Sequence, residues 1–142
     1  MKIRIEEDTK REYEVLPEGT YEVYVDAYDM PEQMGDYERS SILLKIRDDI
    51  EQDSKNRVIY VNLNTNPNIA WKLSKIAVAA GVLAGTDFDS FSDYLAALRG
   101  TSMKVVVKHR EYNGKIYPDV KQFYPTSEVP YSLEETFDAN LI

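Results

Sequence analysis

The stretch MKVVVKHREYNGKIYPDVKQF, residues 103–123, predicts a β-hairpin with one basic face. Asn113-Gly114 at its centre is the strongest short-range hairpin signal, because a type I′ turn needs positive φ at both central residues. A two-residue turn defines the cross-strand pairs Tyr112–Lys115, Arg110–Tyr117, Lys108–Asp119, Val106–Lys121 and Lys104–Phe123.

Side chains alternate between the two faces of a strand, so this register assigns each residue of the hairpin to a face. An apolar face, expected to pack on the core, carries Met103, Val105, Val107, Ile116 and Val120. The opposite face carries Lys104, Lys108, Arg110, Tyr117, Lys121 and Phe123. Cations interleaved with aromatic rings suit a single-stranded nucleic acid, because the cations attract phosphates and the rings stack on bases.

Positive charge is concentrated in this region. Residues 99–121 hold six Lys or Arg against two acids, a local charge of +4 in a chain whose net charge is −8. The acidic excess argues against a broad DNA-coating surface but is compatible with a narrow groove of positive potential. The alternative reading of these lysines is an exposed sheet face on which they maintain solubility and block aggregation.

The composition is that of one globular domain, with 142 residues and 43% hydrophobic side chains. The absence of cysteine excludes disulfides, thiol catalysis and cysteine metal sites. There is no apolar run approaching the ~20 residues of a membrane span, and the charged N-terminus is unlike a signal peptide. A reducing cytoplasm fits the absence of cysteine without following from it, and our expectation is a cytoplasmic protein with no membrane partner and no cofactor.

Alternating apolar residues predict three strands before the hairpin, at 20–28, 41–47 and 58–63. The first strand is expected to turn Ala27 inward and Tyr28 outward. Spacings of three and four then predict two helices, one from Asn68 to Gly81 and one from about Ser90 to Arg99 with Asp89 as its cap. A loose arm is predicted for residues 1–15 and a flexible loop for residues 29–38.

The predicted fold is mainly β with a helical insertion. Five strands with two short helices between strands 3 and 4 are the layout of an OB-like β-barrel. We predict a single OB-like nucleic-acid-binding domain over residues 1–131 and an acidic C-terminal tail over residues 132–142. The alternative is a small β-sandwich with a helical excursion, because spacing alone does not determine strand order.

Five stretches carry a resemblance to a known family: LPEGTYEV (16–23), SILLKIR (41–47), Ala80-Gly81, LRGTSMKVVVKHREYNGK (98–115) and PDVKQFYP (118–125). They resemble a family of phage-encoded single-stranded-DNA-binding proteins of OB-fold type, a former domain-of-unknown-function family of phage replication modules. The resemblance implies sequence-tolerant binding of single-stranded DNA during phage DNA replication or recombination, in the host cytoplasm. It also implies a tail that recruits replication or recombination proteins, here through Glu134, Glu135, Phe137, Asp138, Leu141 and Ile142. Self-association into a homo-oligomer is a further expectation from this class.

In an OB-fold the ligand crosses strands 2 and 3 and is held by the loops between strands. This mapping adds strand residues and the hairpin tip to the basic face. The predicted nucleic-acid-binding residues are Lys45, Arg47, Tyr60, Lys104, Lys108, Arg110, Tyr112, Lys115, Tyr117, Lys121 and Phe123. Packing under the helices is the alternative for Tyr60 and Phe123, and Trp71 is expected to pack in the core.

The sequence offers little for catalysis. His109, the single histidine, is expected to be structural. An acidic loop holds Asp48, Asp49, Glu51 and Asp53, whose carboxylates suit Mg²⁺ or Ca²⁺, but it lacks the glycine and the final glutamate of an EF-hand. We expect a protein without catalytic residues, metal or enzymatic activity. The rival function is a protein-interaction module whose basic hairpin docks an acidic partner.

Overall fold

The computed structural model describes residues 14–132, which form six strands, a short 3-10 helix and two α-helices. The elements are β1 (Gly19–Tyr28), β2 (Glu32–Met34), β3 (Tyr37–Ile46), β4 (Val58–Asn64), the 3-10 helix (Pro67–Ile69), α1 (Ala70–Ala79), α2 (Phe91–Leu98), β5 (Ser102–Tyr112) and β6 (Lys115–Pro125). A mainly β chain with a helical insertion is confirmed. The sheet differs from the prediction because it has six strands and is not closed into a barrel.

All six strands belong to one antiparallel sheet with β1 near its centre. β1 pairs with β3 on one side and with β5 on the other, and the long strands run in the order β4-β3-β1-β5-β6. The extra strand, β2, pairs with the beginning of β3 across a two-residue turn at Gly35. Residues 29–38, predicted as a loop, therefore contain a short hairpin.

β1 contains a bulge that the alternating pattern did not predict. Its register against β3 shifts between Val25 and Ala27, so Asp26 is the extra residue. A bulge leaves one residue unpaired and reverses the inward and outward positions beyond it. Tyr28 consequently packs against the core instead of pointing outward.

The core is a single cluster to which the five long strands and both α-helices contribute. Its most deeply buried members are Val23, Val25, Ile42, Leu44, Ile46, Ile76, Leu95, Leu98, Met103, Val105 and Val107. The helices are tied together by the Tyr94 hydroxyl, which donates to the Leu73 carbonyl at 2.7 Å. Within residues 14–132 no helix is long and apolar enough to cross a membrane.

The helix boundaries follow local capping chemistry. The 3-10 helix begins after Asn66, whose side chain accepts from the Asn68 N–H, so the helical segment starts slightly earlier than predicted. α2 is capped by Ser90 rather than Asp89, since the Ser90 hydroxyl accepts from the Asp93 N–H at 3.1 Å.

Candidate nucleic-acid interface

The predicted basic hairpin is formed by β5 and β6. Asn113 and Gly114 at its turn have φ of 50° and 77°, the positive values that a type I′ turn requires. The three predicted pairs nearest the turn are confirmed: Tyr112–Lys115, Arg110–Tyr117 and Lys108–Asp119.

A bulge at Lys121 changes the register farther from the turn. The ladder passes from the pair Val107–Val120 to the pair Val106–Gln122, so Lys121 is the extra residue and has no partner residue on β5. The side-chain ammonium of Lys121 lies 3.1 Å from the Asp119 carboxylate. The pairs predicted beyond this point, Val106–Lys121 and Lys104–Phe123, are therefore wrong.

The bulge exchanges two neighbouring aromatic residues between the faces. Phe123 lies opposite Val105 and is buried in the core at 6% exposure, so it is not on the basic face as predicted. Tyr124 takes its place opposite Lys104, with 38% of its surface exposed. Sequence reasoning missed Tyr124 because it assumed an unbroken alternation.

Two cation–ring pairs lie across the strands on the outer face of the hairpin. The guanidinium carbon of Arg110 is 5.7 Å from the centre of the Tyr117 ring, and the ammonium of Lys104 is 6.0 Å from the centre of the Tyr124 ring. Such contacts are attractive because the face of an aromatic ring carries partial negative charge. Each places a positive charge beside a ring, the combination that a nucleotide's phosphate and base require.

The edge strands β4 and β6 face one another across a cleft of about 620 Å³, which we call the seam cleft. One wall is formed by Arg57 and Val58 and the other by residues 115–118, and the cleft is also lined by Glu14, Val15 and Leu16. No ladder joins β4 to β6 within residues 14–132, so the sheet curls until its two edges are close but does not close. The seam cleft thus has a largely apolar lining with a cation on each side and one acid, Glu14, whose backbone carbonyl accepts a hydrogen bond from Arg57.

Exposed large apolar side chains lie in and near the seam cleft. Val58, Ile116 and Tyr117 line it, and Tyr60 on β4 and Tyr112 at the hairpin tip are exposed on the same two elements. Ile116 was expected in the core, but the tip extends past the core and leaves this side chain half exposed. Contiguous exposed apolar surface commonly marks a binding site. Tyr60 is exposed rather than packed under the helices, in agreement with its predicted placement.

The hairpin stem is fastened to the residues that precede β1. The backbone N–H of His109 donates to the Glu18 carboxylate at 2.7 Å, and the imidazole Nε2 lies 2.8 Å from the Leu16 carbonyl oxygen. The N–H of His109 holds the pKa of the Glu18 carboxyl below its ordinary value, with a smaller contribution from the charge of Lys108. These contacts fit the structural role expected of His109.

Arg47 is on the outer side of the sheet but is not accessible. It is 1% exposed, and its Nε and Nη2 donate to the two oxygens of Asp49 at 2.9 and 2.8 Å. Nη2 also donates to the Val129 carbonyl at 2.6 Å. These hydrogen bonds hold the pKa of Asp49 below its ordinary value and raise that of Arg47. The predicted placement of Arg47 on an open binding face is therefore wrong.

The residues that bury Arg47 are 126–131, here called the covering segment. The Thr126 hydroxyl donates to the Glu22 carboxylate at 2.5 Å, and the Tyr131 N–H donates to the Ser102 hydroxyl at 2.8 Å. The Tyr131 ring stacks on the Tyr24 ring with a centroid distance of 4.1 Å, and this burial raises the pKa of Tyr24. The covering segment closes this part of the outer face and leaves the hairpin tip and β4 open.

The other predicted site residues lie on the open part or at its margin. Lys45 is half-buried on β3, in register with Val58. Lys104 is half-buried, and its ammonium lies 2.9 Å from the Ser127 hydroxyl. The remaining cations, Lys108, Arg110, Lys115 and Lys121, are exposed. The predicted partner-binding tail, Glu134, Glu135, Phe137, Asp138, Leu141 and Ile142, lies outside the described residues, as does most of the predicted N-terminal arm.

A second surface cleft, of about 510 Å³, is less suited to a phosphate backbone. Its lining contains two acids, Asp29 and Glu32, and one cation, Arg39, which pairs with Glu32 at 3.3 Å.

Sequence reasoning missed Arg57, a cation that lines the seam cleft. The available signal was its position directly before the strand that the OB-like mapping assigned to the ligand.

The acidic loop after β3 makes local ion pairs. Asp49 binds Arg47, and Glu51 lies 3.4 Å from the ammonium of Lys55. Within residues 14–132 no three His, Asp or Glu side chains are grouped in a way that could hold a metal ion.

No curated protein matches the chain. One family profile does match, described as a protein of unknown function (DUF669), and it spans residues 4–132 of the 142. A match over nearly the whole length means that the chain belongs to the DUF669 family of proteins of unknown function.

Proposed function

We propose that this protein binds single-stranded DNA with little base preference, in phage DNA replication or recombination, and that it is not an enzyme. The observation that carries the proposal is the pairing of cations with rings along the outer face of the hairpin. Arg110 lies by Tyr117 at the open tip beside the seam cleft, and Lys104 lies by Tyr124 farther along the same face, where Lys104 also contacts Ser127 of the covering segment. This surface is the proposed interface.

We further propose that the sheet is an opened OB-type barrel. The order β4-β3-β1-β5-β6 would become a closed ring if β4 paired with β6, and the seam cleft lies between those two strands. OB-folds are partly open barrels that bind oligonucleotides on strand faces and loops. The proposed interface uses the corresponding parts of this chain, namely β4 and the β5–β6 tip.

The chemistry of the interface favours an unpaired strand over a duplex. Tyr60, Tyr112 and Tyr117 are exposed rings around the seam cleft, and stacking on such rings contributes ~1–3 kcal/mol per base. In a duplex the bases are already stacked on one another and their faces are covered. Arg57 and Lys115 on the two walls would attract the phosphates of the same strand. The net charge of −8 disfavours phosphate contact over the rest of the surface.

The direct test is fluorescence anisotropy with a labelled dT oligomer of about 30 nucleotides, long enough to exceed the ~4–16 nucleotides that one OB-fold occupies. The titration is made at two or more salt concentrations beside a duplex of equal length. We expect micromolar or tighter binding to the single strand, weaker binding to the duplex, and a logarithmic salt slope near −0.7 per phosphate neutralised. Absence of binding at low salt would refute the proposal and would favour the rival, an acidic protein partner for the hairpin.

A further inference from the structure

Helix α1 turns apolar side chains toward solvent. Trp71, the single tryptophan, is 66% exposed, so its predicted place in the core is wrong. Val78 lies seven residues later on the same face of the helix and is exposed as well. Leu83, just beyond the helix, is 81% exposed. Together they form an apolar patch, here called the helix patch, on an otherwise strongly charged protein.

An apolar cleft of about 290 Å³ is lined in part by Val78 and Leu83, and Trp71 follows Ala70 of its lining in the chain. It lies between α1 and residues 82–88, and Tyr94 of α2 is part of its lining. Small residues line both sides, with Ala70, Ser74 and Ala77 on α1 and Ala84 opposite. Small side chains on both walls leave room for a flat ring such as an indole. The helix patch therefore has a projecting indole, that of Trp71, and beside it a cleft that an indole could enter.

Charge on the helix patch is separated by sign. α1 carries Lys72 and Lys75 and no acid, whereas residues 82–90 carry Asp87 and Asp89 and no cation. Among the ion pairs of residues 14–132, none includes these four side chains. The helix therefore contributes positive charge and its connection to α2 contributes negative charge, and the Lys72 ammonium, 3.5 Å from the Asn62 carbonyl, pairs with no acid in residues 14–132.

We propose that the helix patch binds a second copy of this chain in a two-fold symmetric dimer. In such an interface the same patch meets itself, so every feature must find its complement on the same surface. The indole of Trp71 in each copy would enter the apolar cleft of the other. The lysines of α1 in each copy would face Asp87 and Asp89 of the other. Tryptophan is among the residues that dominate the energy of such contacts.

This proposal does not depend on DNA binding, because the helix patch lies on α1, α2 and their connection rather than on β4 and the hairpin. A different protein partner would need to match a projecting ring, a cleft and charges of both signs. A second copy already presents that combination, which is why we favour self-association.

The first test uses Trp71 as an intrinsic probe, since no other tryptophan contributes to the emission. Fluorescence spectra and sedimentation are recorded on the full chain over a dilution series. We expect the emission to shift to longer wavelength on dilution, in parallel with a fall in mass from the dimer to the 16.4 kDa monomer. A monomer at every concentration, or a dimer whose dissociation leaves the emission unchanged, would overturn the proposal.

Charge reversal tests the arrangement. We expect K72E/K75E and D87K/D89K each to raise the dimer dissociation constant by about tenfold or more, because each brings like charges together. The combination of all four changes should return the constant close to that of the original chain, and circular dichroism verifies folding of each variant. Failure of the combined variant to recover would overturn the arrangement. V129D, at an exposed residue outside the helix patch, is the matched control and should leave the constant unchanged.

Discussion

Phe123 lies directly opposite Val105 in the β5–β6 ladder, and both side chains are buried. An unbroken hairpin would place Phe123 opposite Lys104 on the solvent side. The difference of one residue comes from the bulge at Lys121, which directs Phe123 to the core and Tyr124 to the outer face. Two adjacent residues of the hairpin therefore have different roles: Phe123 packs in the core, and Tyr124 belongs to the proposed interface.

Replacing these two neighbours should destabilise the fold to very different extents. Phe123→Ala removes a buried ring and should lower the free energy of unfolding by about 3–5 kcal/mol. Tyr124→Ala removes a partly exposed ring and should lower it by no more than about 1 kcal/mol. Urea denaturation of both variants provides the comparison. Equal losses, or a larger loss for Tyr124→Ala, would contradict the bulged register.

The outward placement of Tyr117 and Tyr124 on the hairpin predicts which aromatic rings affect DNA binding. Tyr117→Ala and Tyr124→Ala should each weaken binding to an oligo-dT strand by ~1–3 kcal/mol, because each would remove one stacking surface. Tyr37→Ala is the control, since Tyr37 lines the second surface cleft, the one that contains Asp29 and Glu32, at another place on the sheet. If the three variants lose affinity equally in anisotropy titrations, stacking at the hairpin is not the source of binding.

Cations of the seam cleft should be visible in the salt dependence. Arg57→Ala and Lys115→Ala should each make the logarithmic salt slope less negative by about 0.7, the contribution of one phosphate contact on a single strand. Lys55→Ala is a suitable comparison, because Lys55 pairs with Glu51 in the acidic loop. A slope that is insensitive to Arg57 and Lys115 would place the DNA elsewhere.

Asp49 should contribute to stability through the buried guanidinium of Arg47. Asp49→Asn leaves that guanidinium without its charged partner and should lower the free energy of unfolding by about 1–3 kcal/mol near neutral pH. Asp53→Asn, an exposed acid in the same loop, should change it little. Chemical denaturation of both variants measures the difference.

The contribution of Asp49 should also depend on pH. Arg47 lowers the pKa of Asp49 in the folded protein below its ordinary value of 3.8. A lowered folded-state pKa means that the stabilisation is complete above that ordinary value and is lost as the pH falls through the folded-state value. The stability difference between the original chain and Asp49→Asn should therefore shrink below about pH 4. A difference that stays constant down to pH 2 would contradict this pairing.

Local chemistry explains the part of the fold that the sequence predicts well. The Asn113-Gly114 turn determines its own geometry and the nearest strand pairs, independently of the rest of the chain. The bulges at Asp26 and Lys121 were not predicted, because each inserts one residue between two stretches that both keep a regular alternation. The visible signal was an odd spacing of core residues, as between Val120 and Phe123.

The alternating pattern predicts the face of the sheet on which a side chain lies, but it does not predict how exposed to solvent that side chain is. Arg47 is on the predicted side of the sheet, yet the covering segment, some 80 residues later in the chain, buries it. Trp71 shows the reverse, since a tryptophan among apolar neighbours was expected to pack inward and is exposed. In both cases the outcome depends on contacts between distant parts of the chain, which a periodic pattern does not contain.

The central position of β1 has a consequence for biosynthesis. Its first neighbour, β3, follows closely in the chain, but its second, β5, is made only when translation has reached residues 102–107. In the interval, the edge formed by Gly19–Tyr24 would be open on the nascent chain, and open strand edges recruit other strands. Glu22 lies in the middle of that edge. A charged side chain in an open strand edge opposes pairing with another strand, so the carboxylate that binds Thr126 in the folded protein would act against aggregation of the nascent chain.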